Sequence, residues 1–78
     1  MKQTHNLSQL KAGQRALVTR IDTAGTMRRR LMDLGLIPGT EVMCFGHSPL
    51  GDPSAYLVRG TVIAIRAKDS QNIILETE

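Results

Sequence analysis

Thr26-Met27-Arg28-Arg29-Arg30-Leu31-Met32-Asp33-Leu34-Gly35-Leu36-Ile37-Pro38-Gly39 is the stretch whose reading decides the fold. Met27, Leu31 and Leu34 fall at i, i+4 and i+7, one apolar stripe on a 3.6-residue period, so the spacing predicts a short α-helix from Thr26 to Leu34 with Thr26 as its cap. Gly35 stands where a left-handed residue ends a helix. Pro38 forbids continuation and holds Ile37 extended, which makes Pro38-Gly39 a turn. No other segment is a convincing helix, so the stripe must pack against strands.

Working outward, Arg15 to Ile21 sets Leu17, Thr19 and Ile21 against Ala16, Val18 and Arg20, the alternation of a strand with one more apolar face. Glu41 to Gly46, Ala55 to Arg59, Thr61 to Arg66 and Ile73 to Glu76 are short runs rich in β-branched or aromatic residues, and they read as four more strands. Asn6 to Leu10 reads as a brief helical turn capped by Ser8, and Ala67 to Asn72 as another. Gly46 to Ser54, punctuated by Pro49, Gly51, Asp52 and Pro53, is a polar loop, and Gly60 marks a tight turn or bulge. The expected fold is mainly β, a small five-stranded, partly open barrel with one short α-helix. At 78 residues the chain is expected to be a single domain spanning 1–78.

A core of this size supplies only about 3–5 kcal/mol of net stability, and small secreted domains add disulfides to it. Cys44 is the single cysteine and cannot make an internal disulfide, which points to a reducing, cytoplasmic setting. Met1 to Asn6 lacks the apolar segment of a secretory signal, and apolar runs such as Val62 to Ile65 fall far short of the roughly 20 residues a membrane span needs. Charge is uneven: residues 1–39 carry a net +5 and residues 40–78 a net −2. The basic half attracts acidic surfaces. Phe45 and Tyr56 are the only aromatics, too few to build a base-stacking platform or a proline-peptide groove, so no nucleic acid is expected as a partner.

Met27 to Gly39, with its Leu34-Gly35-Leu36-Ile37-Pro38-Gly39 segment, then Ser48-Pro49-Leu50-Gly51-Asp52-Pro53, then Arg59-Gly60 and Ile65-Arg66, together resemble the FeoA family of ferrous iron transport proteins. The resemblance covers nearly the whole chain, and its two motifs, in this order and spacing, are more specific together than apart. It implies an SH3-like barrel and a small noncatalytic accessory protein of the cytosol. The implied partner is a FeoB-type membrane transporter with a cytosolic G-protein region, so that membrane association would run through the partner. The alternative class is an SH3-like nucleic-acid-binding or metal-sensing regulatory domain.

The residues themselves carry no enzyme constellation. Gly46-His47-Ser48-Pro49-Leu50-Gly51 has two glycines of a phosphate-binding loop, but Asp52-Pro53 stands where lysine and a hydroxyl residue would hold phosphate and magnesium. Cys44, His47 and Asp52 are the candidate metal ligands, a soft thiolate and an imidazole being attractive beside iron. Against that, a cysteine in an apolar strand is ordinarily a small buried hydrophobe. No cofactor is expected.

Arg28, Arg29 and Arg30 are placed in the first helical turn, where the helix dipole disfavours cations, so an external anionic surface is their expected use. Leu36 and Ile37, adjacent in a turn, cannot both point inward, so at least one is expected to stay exposed, and both Leu36 and Ile37 are placed in the expected partner-binding set. On the strand from Glu41, Met43 and Phe45 share one face and Val42 and Cys44 the other, so Met43 is added to the expected partner-binding set.

Overall fold

The structure, a computed structural model, describes residues 3–77. In chain order these form β1 (Gln3–Asn6), a 3-10 turn (Leu7–Gln9), β2 (Arg15–Ile21), α1 (Gly25–Asp33), β3 (Glu41–His47), β4 (Ser54–Val58), β5 (Thr61–Ile65), the single-turn α2 (Ala67–Ser70) and β6 (Ile73–Thr77). The strands form one antiparallel sheet in the order β1-β6-β2-β3-β4-β5. Among the described residues its edge strands β1 and β5 do not pair with each other, so the sheet is a partly open barrel.

The described residues therefore hold six strands where five were expected. β1 was missed because Gln-Thr-His-Asn has no apolar alternation. It forms by pairing with β6, His5 opposite Leu75 and Asn6 opposite Ile74, so its partner, not its own propensity, makes it a strand. Asn6, and not Ser8, leads into the 3-10 turn: its N–H donates to Gln9 Oε1 at 3.0 Å, while the Ser8 hydroxyl donates to Asn6 Oδ1.

Two bulges set which side chains face inward. In β2 the register with β6 slips between Val18 and Arg20, so Thr19 is the extra residue. Ala16 and Val18 point inward before the bulge and Ile21 after it, while Leu17 stays half exposed. Neither strict alternating set of the sequence survives that slip. In β3 the register with β4 slips between Cys44 and Gly46, leaving Phe45 unpaired.

The helix begins one residue early, at Gly25 with Ala24 before it, and no side chain caps it, so Thr26 is inside the first turn. Its end follows from hydrogen bonds. The Gly35 N–H donates to the Met32 carbonyl at 2.9 Å and the Leu36 N–H to the Leu31 carbonyl at 3.1 Å, with Gly35 at φ +104. This is a Schellman closure, in which the residue after the left-handed glycine folds back onto the last helical turn. Leu36 is accordingly fully buried beside Leu31, whereas Leu34, assigned to the core stripe by periodicity, is exposed. Gly39 and Thr40 then tie the turn to β2, Gly39 N–H to the Val18 carbonyl at 2.7 Å and Val18 N–H to the Thr40 carbonyl at 2.9 Å.

The core comprises Leu7, Leu10, Ala16, Val18, Ile21, Leu31, Leu36, Val42, Cys44, Tyr56, Val58, Ile65, Ile73 and Leu75, with Met27 and Ile63 packed at its margin. Arg59 and Gly60, at φ +51 and +79, make the two-residue turn between β4 and β5, the left-handed pair that matches strand twist.

Candidate functional site

The outer face of the sheet is built by alternation. Because Val42 and Cys44 point inward on β3, Met43 points outward, opposite Leu57 of β4, which in turn lies opposite Val62 of β5. Arg15 of β2 faces Met43 from the other side. Met43 and Leu57 are half-buried, Val62 is half exposed, and the bulge residue Phe45 is 60% exposed. A groove passes over Met43 and Leu57 of this row, walled by Arg15, Glu41 and Arg59. The face thus sets an exposed or half-buried apolar row beside two arginines and one glutamate.

The three arginines of α1 separate. Arg28 is exposed but is tied back to β2, donating from Nη1 to the Ile21 carbonyl at 2.7 Å. Arg29 is exposed and lines a groove with Thr26, Met32 and Asp33. Arg30 lies in the last turn, not the first, so the helix dipole favours it. Among the described residues no ion pair is found between Arg29 and Asp33, whereas Arg20 and Asp22 pair at 2.9 Å on the surface. Of the expected partner-binding residues, then, Arg28, Arg29 and Arg30 are exposed, Arg28 being held by its bond to Ile21, Ile37 and Met43 are half-buried, and Leu36 is withdrawn into the core. The signal that could have placed Leu36 was present: a glycine-closed helix packs the following residue on its last turn. Leu57 and Val62, absent from the expected set, are placed outward by register, and Phe45, also absent, is exposed at the bulge.

The metal candidates do not converge. Cys44 Sγ and His47 Nε2 are 4.0 Å apart, but the other ring nitrogen of His47 shares a hydrogen bond with Ser54 Oγ. Asp52 is engaged elsewhere, its Oδ1 accepting the Ala67 N–H at 2.8 Å and so closing the start of α2. Among the described residues no group of three or more His, Cys, Asp and Glu side chains is arranged to hold a metal ion. Burial pushes the Cys44 thiol up from its ordinary value, outweighing a backbone hydrogen bond with Gly46 that lowers it. Burial likewise raises the Tyr56 phenol, against hydrogen bonds with Ser54 and Ser70. Cys44 is thus a protonated core residue.

A small antiparallel barrel of six strands with one short helix defines an SH3-like module. The chain belongs to the FeoA domain family, whose model matches residues 5–77, a family of ferrous iron transport. It is similar to the FeoA protein of Chlorobium tepidum, with 40% identity and a TM-score of 0.85 over 90% of this chain and 67% of that one. It is also similar to the FeoA of Stenotrophomonas maltophilia solved with zinc and described as a procaryotic SH3 domain protein, with 25% identity and a TM-score of 0.81 over 94% and 95% of the two chains. A curated relative, the Fe(2+) transport protein A/Fe(2+) transporter FeoB fusion protein of Porphyromonas gingivalis, is 29% identical over 70 residues. The alignment takes in 90% of this chain but only 8% of that relative's length. Among the described residues no helix is long and apolar enough to cross a membrane.

Proposed function

We propose that this chain is a noncatalytic accessory of ferrous iron uptake in the cytoplasm, docking on the cytosolic G-protein region of a FeoB-type membrane transporter. The observation that carries the reading is the fused relative, in which a segment similar to nearly all of this chain shares one polypeptide with the transporter. Fusion puts two interacting modules at high effective concentration, and the separate module must replace that by surface affinity. The outer sheet face supplies the surface: Phe45, Met43, Leu57 and Val62 give apolar contact, Arg15 and Arg59 flank them, and Ile37, Arg29 and Arg30 extend the surface toward α1.

Binding kinetics to the transporter's isolated cytosolic region test this. Phe45→Ser is expected to speed dissociation, at a cost of about 1–3 kcal/mol for a well-buried anchor. Arg29→Glu with Arg30→Glu is expected to slow association and flatten its salt dependence. All three positions are exposed, so circular dichroism of both variants should match the parent. If the parent does not bind, the docking reading fails; if it binds and both variants match it, the assigned face is wrong.

A further inference from the structure

Among the described residues β5 is the last strand of the sheet and pairs on one side only, with β4. Its pattern of bonded residues is fixed by the turn before it. A two-residue turn makes Val58 and Thr61 a hydrogen-bonded pair, so Thr61, Ile63 and Ile65 face β4, and Val62 and Ala64 direct their N–H and C=O groups to the open edge. Natural edge strands are normally protected by charge or proline. Thr61-Val62-Ile63-Ala64-Ile65 has neither.

The same edge borders a groove between α1 and the end of β5, with Met27, Leu34 and Ala64 among its apolar lining. Arg30, Arg66 and Lys68 stand around it, with Asp69 as the lining acid. Arg59 and Arg66 flank the strand at its two ends. A groove between a helix and an unpaired strand edge accepts an extended chain, which gains main-chain bonds from the edge and side-chain burial from the helix.

We propose that the open edge of β5 is a docking site for an extended, acidic segment of a partner protein, added to the sheet as a further strand. Charge selects this occupant over a second copy of the chain. Two β5 edges paired antiparallel would bring the Arg59 end of each beside the Arg66 end of the other, cation on cation, whereas carboxylates at both ends of a foreign strand meet both arginines. The edge adjoins the outer face described above and shares Val62, Arg59 and Arg30 with it, but it binds through main-chain groups, and its test uses a peptide and does not involve the transporter.

The probe is an acetylated, amidated octapeptide with two glutamates at each end and alternating valine and threonine between them, followed by amide exchange on the whole chain. Saturating peptide is expected to slow exchange at Val62 and Ala64 at least about tenfold. The same peptide N-methylated at alternate residues is expected not to bind. Ala64→Pro, which an edge strand tolerates where its N–H faces outward, should abolish binding. Arg66→Glu with Lys68→Glu should weaken it at least about tenfold, the loss shrinking at high salt. Failure of the unmodified peptide to bind at millimolar concentration overturns the proposal. So does binding that leaves Val62 and Ala64 unprotected, undiminished binding by the N-methylated peptide, or concentration-dependent protection of these amides without peptide, which would assign the edge to a second copy.

Discussion

Leu36 shows how much one side chain's direction decides. As the residue after a left-handed glycine it lies against Leu31, and Leu36→Ala should cost about 2–5 kcal/mol, a large part of the stability of a domain this small. Thermal melts check it, and a variant that melts like the parent would mean the side chain is free at the surface. Cys44 gives a second residue-level expectation. Its ordinary value is 9.0 and burial holds the folded thiol above that, so between the two values the folded chain keeps a proton that the unfolded chain loses. Stability is therefore complete below pH 9 and declines as pH rises through the window, with Tyr56 adding the same sign above its ordinary 10.0. Denaturant midpoints across that range should fall, and should fall less for Cys44→Ala. A flat profile in the parent would contradict the buried thiol.

Among the elements, α1 was the most legible in the sequence, and its ending was read more accurately than its stripe. Gly35 has φ +104, and a Cβ there would come within 3.0 Å of Arg59 Cδ and 3.3 Å of Val58 Cγ1. Gly35→Val adds a β-branched side chain to a conformation that disfavours it and crowds the start of the β4–β5 turn, so it should destabilise by more than about 1 kcal/mol. An unchanged melting temperature would argue for an ordinary helical backbone at this position. The five predicted strands are all present because each carries its own short run of apolar, β-branched or aromatic residues. β1 was not legible, since only its pairing with β6 makes it a strand. The two bulges were equally silent, because nothing at Thr19 or Phe45 marks an extra residue before the partner strand is known. The candidate surface inherited those gaps: Met43 follows from simple alternation, while the prominence of Phe45 depends on the slip beside it. The arginines were visible as a cluster, but Arg28's bond to Ile21 depends on where β2 ends.

At the scale of the whole molecule, the sheet brings the two ends of the described chain together, Gln3 lying opposite Thr77. A circular permutant that joins the ends through a short linker and opens the loop at residues 48–53 should therefore keep the fold, because the new joint spans neighbouring strands and the cut leaves every strand intact. Near-parental circular dichroism with a cooperative melt is the expected result; a loss of the cooperative transition would show that the 48–53 loop, with its Asp52 bond to Ala67, is needed to hold β3 and α2 in place.

The position of β6 between β1 and β2 also has a bearing on how the protein is made. β2, β3, β4 and β5 are neighbours in the sheet in the order in which a ribosome releases them, and they can pair as they emerge. β1 emerges before all of them and waits for a strand that emerges after all of them. Until residues 73–77 leave the exit tunnel, the first strand has no partner and β2 has an open side, so the nascent chain holds a meander while the barrel is completed only once translation has passed its last strand.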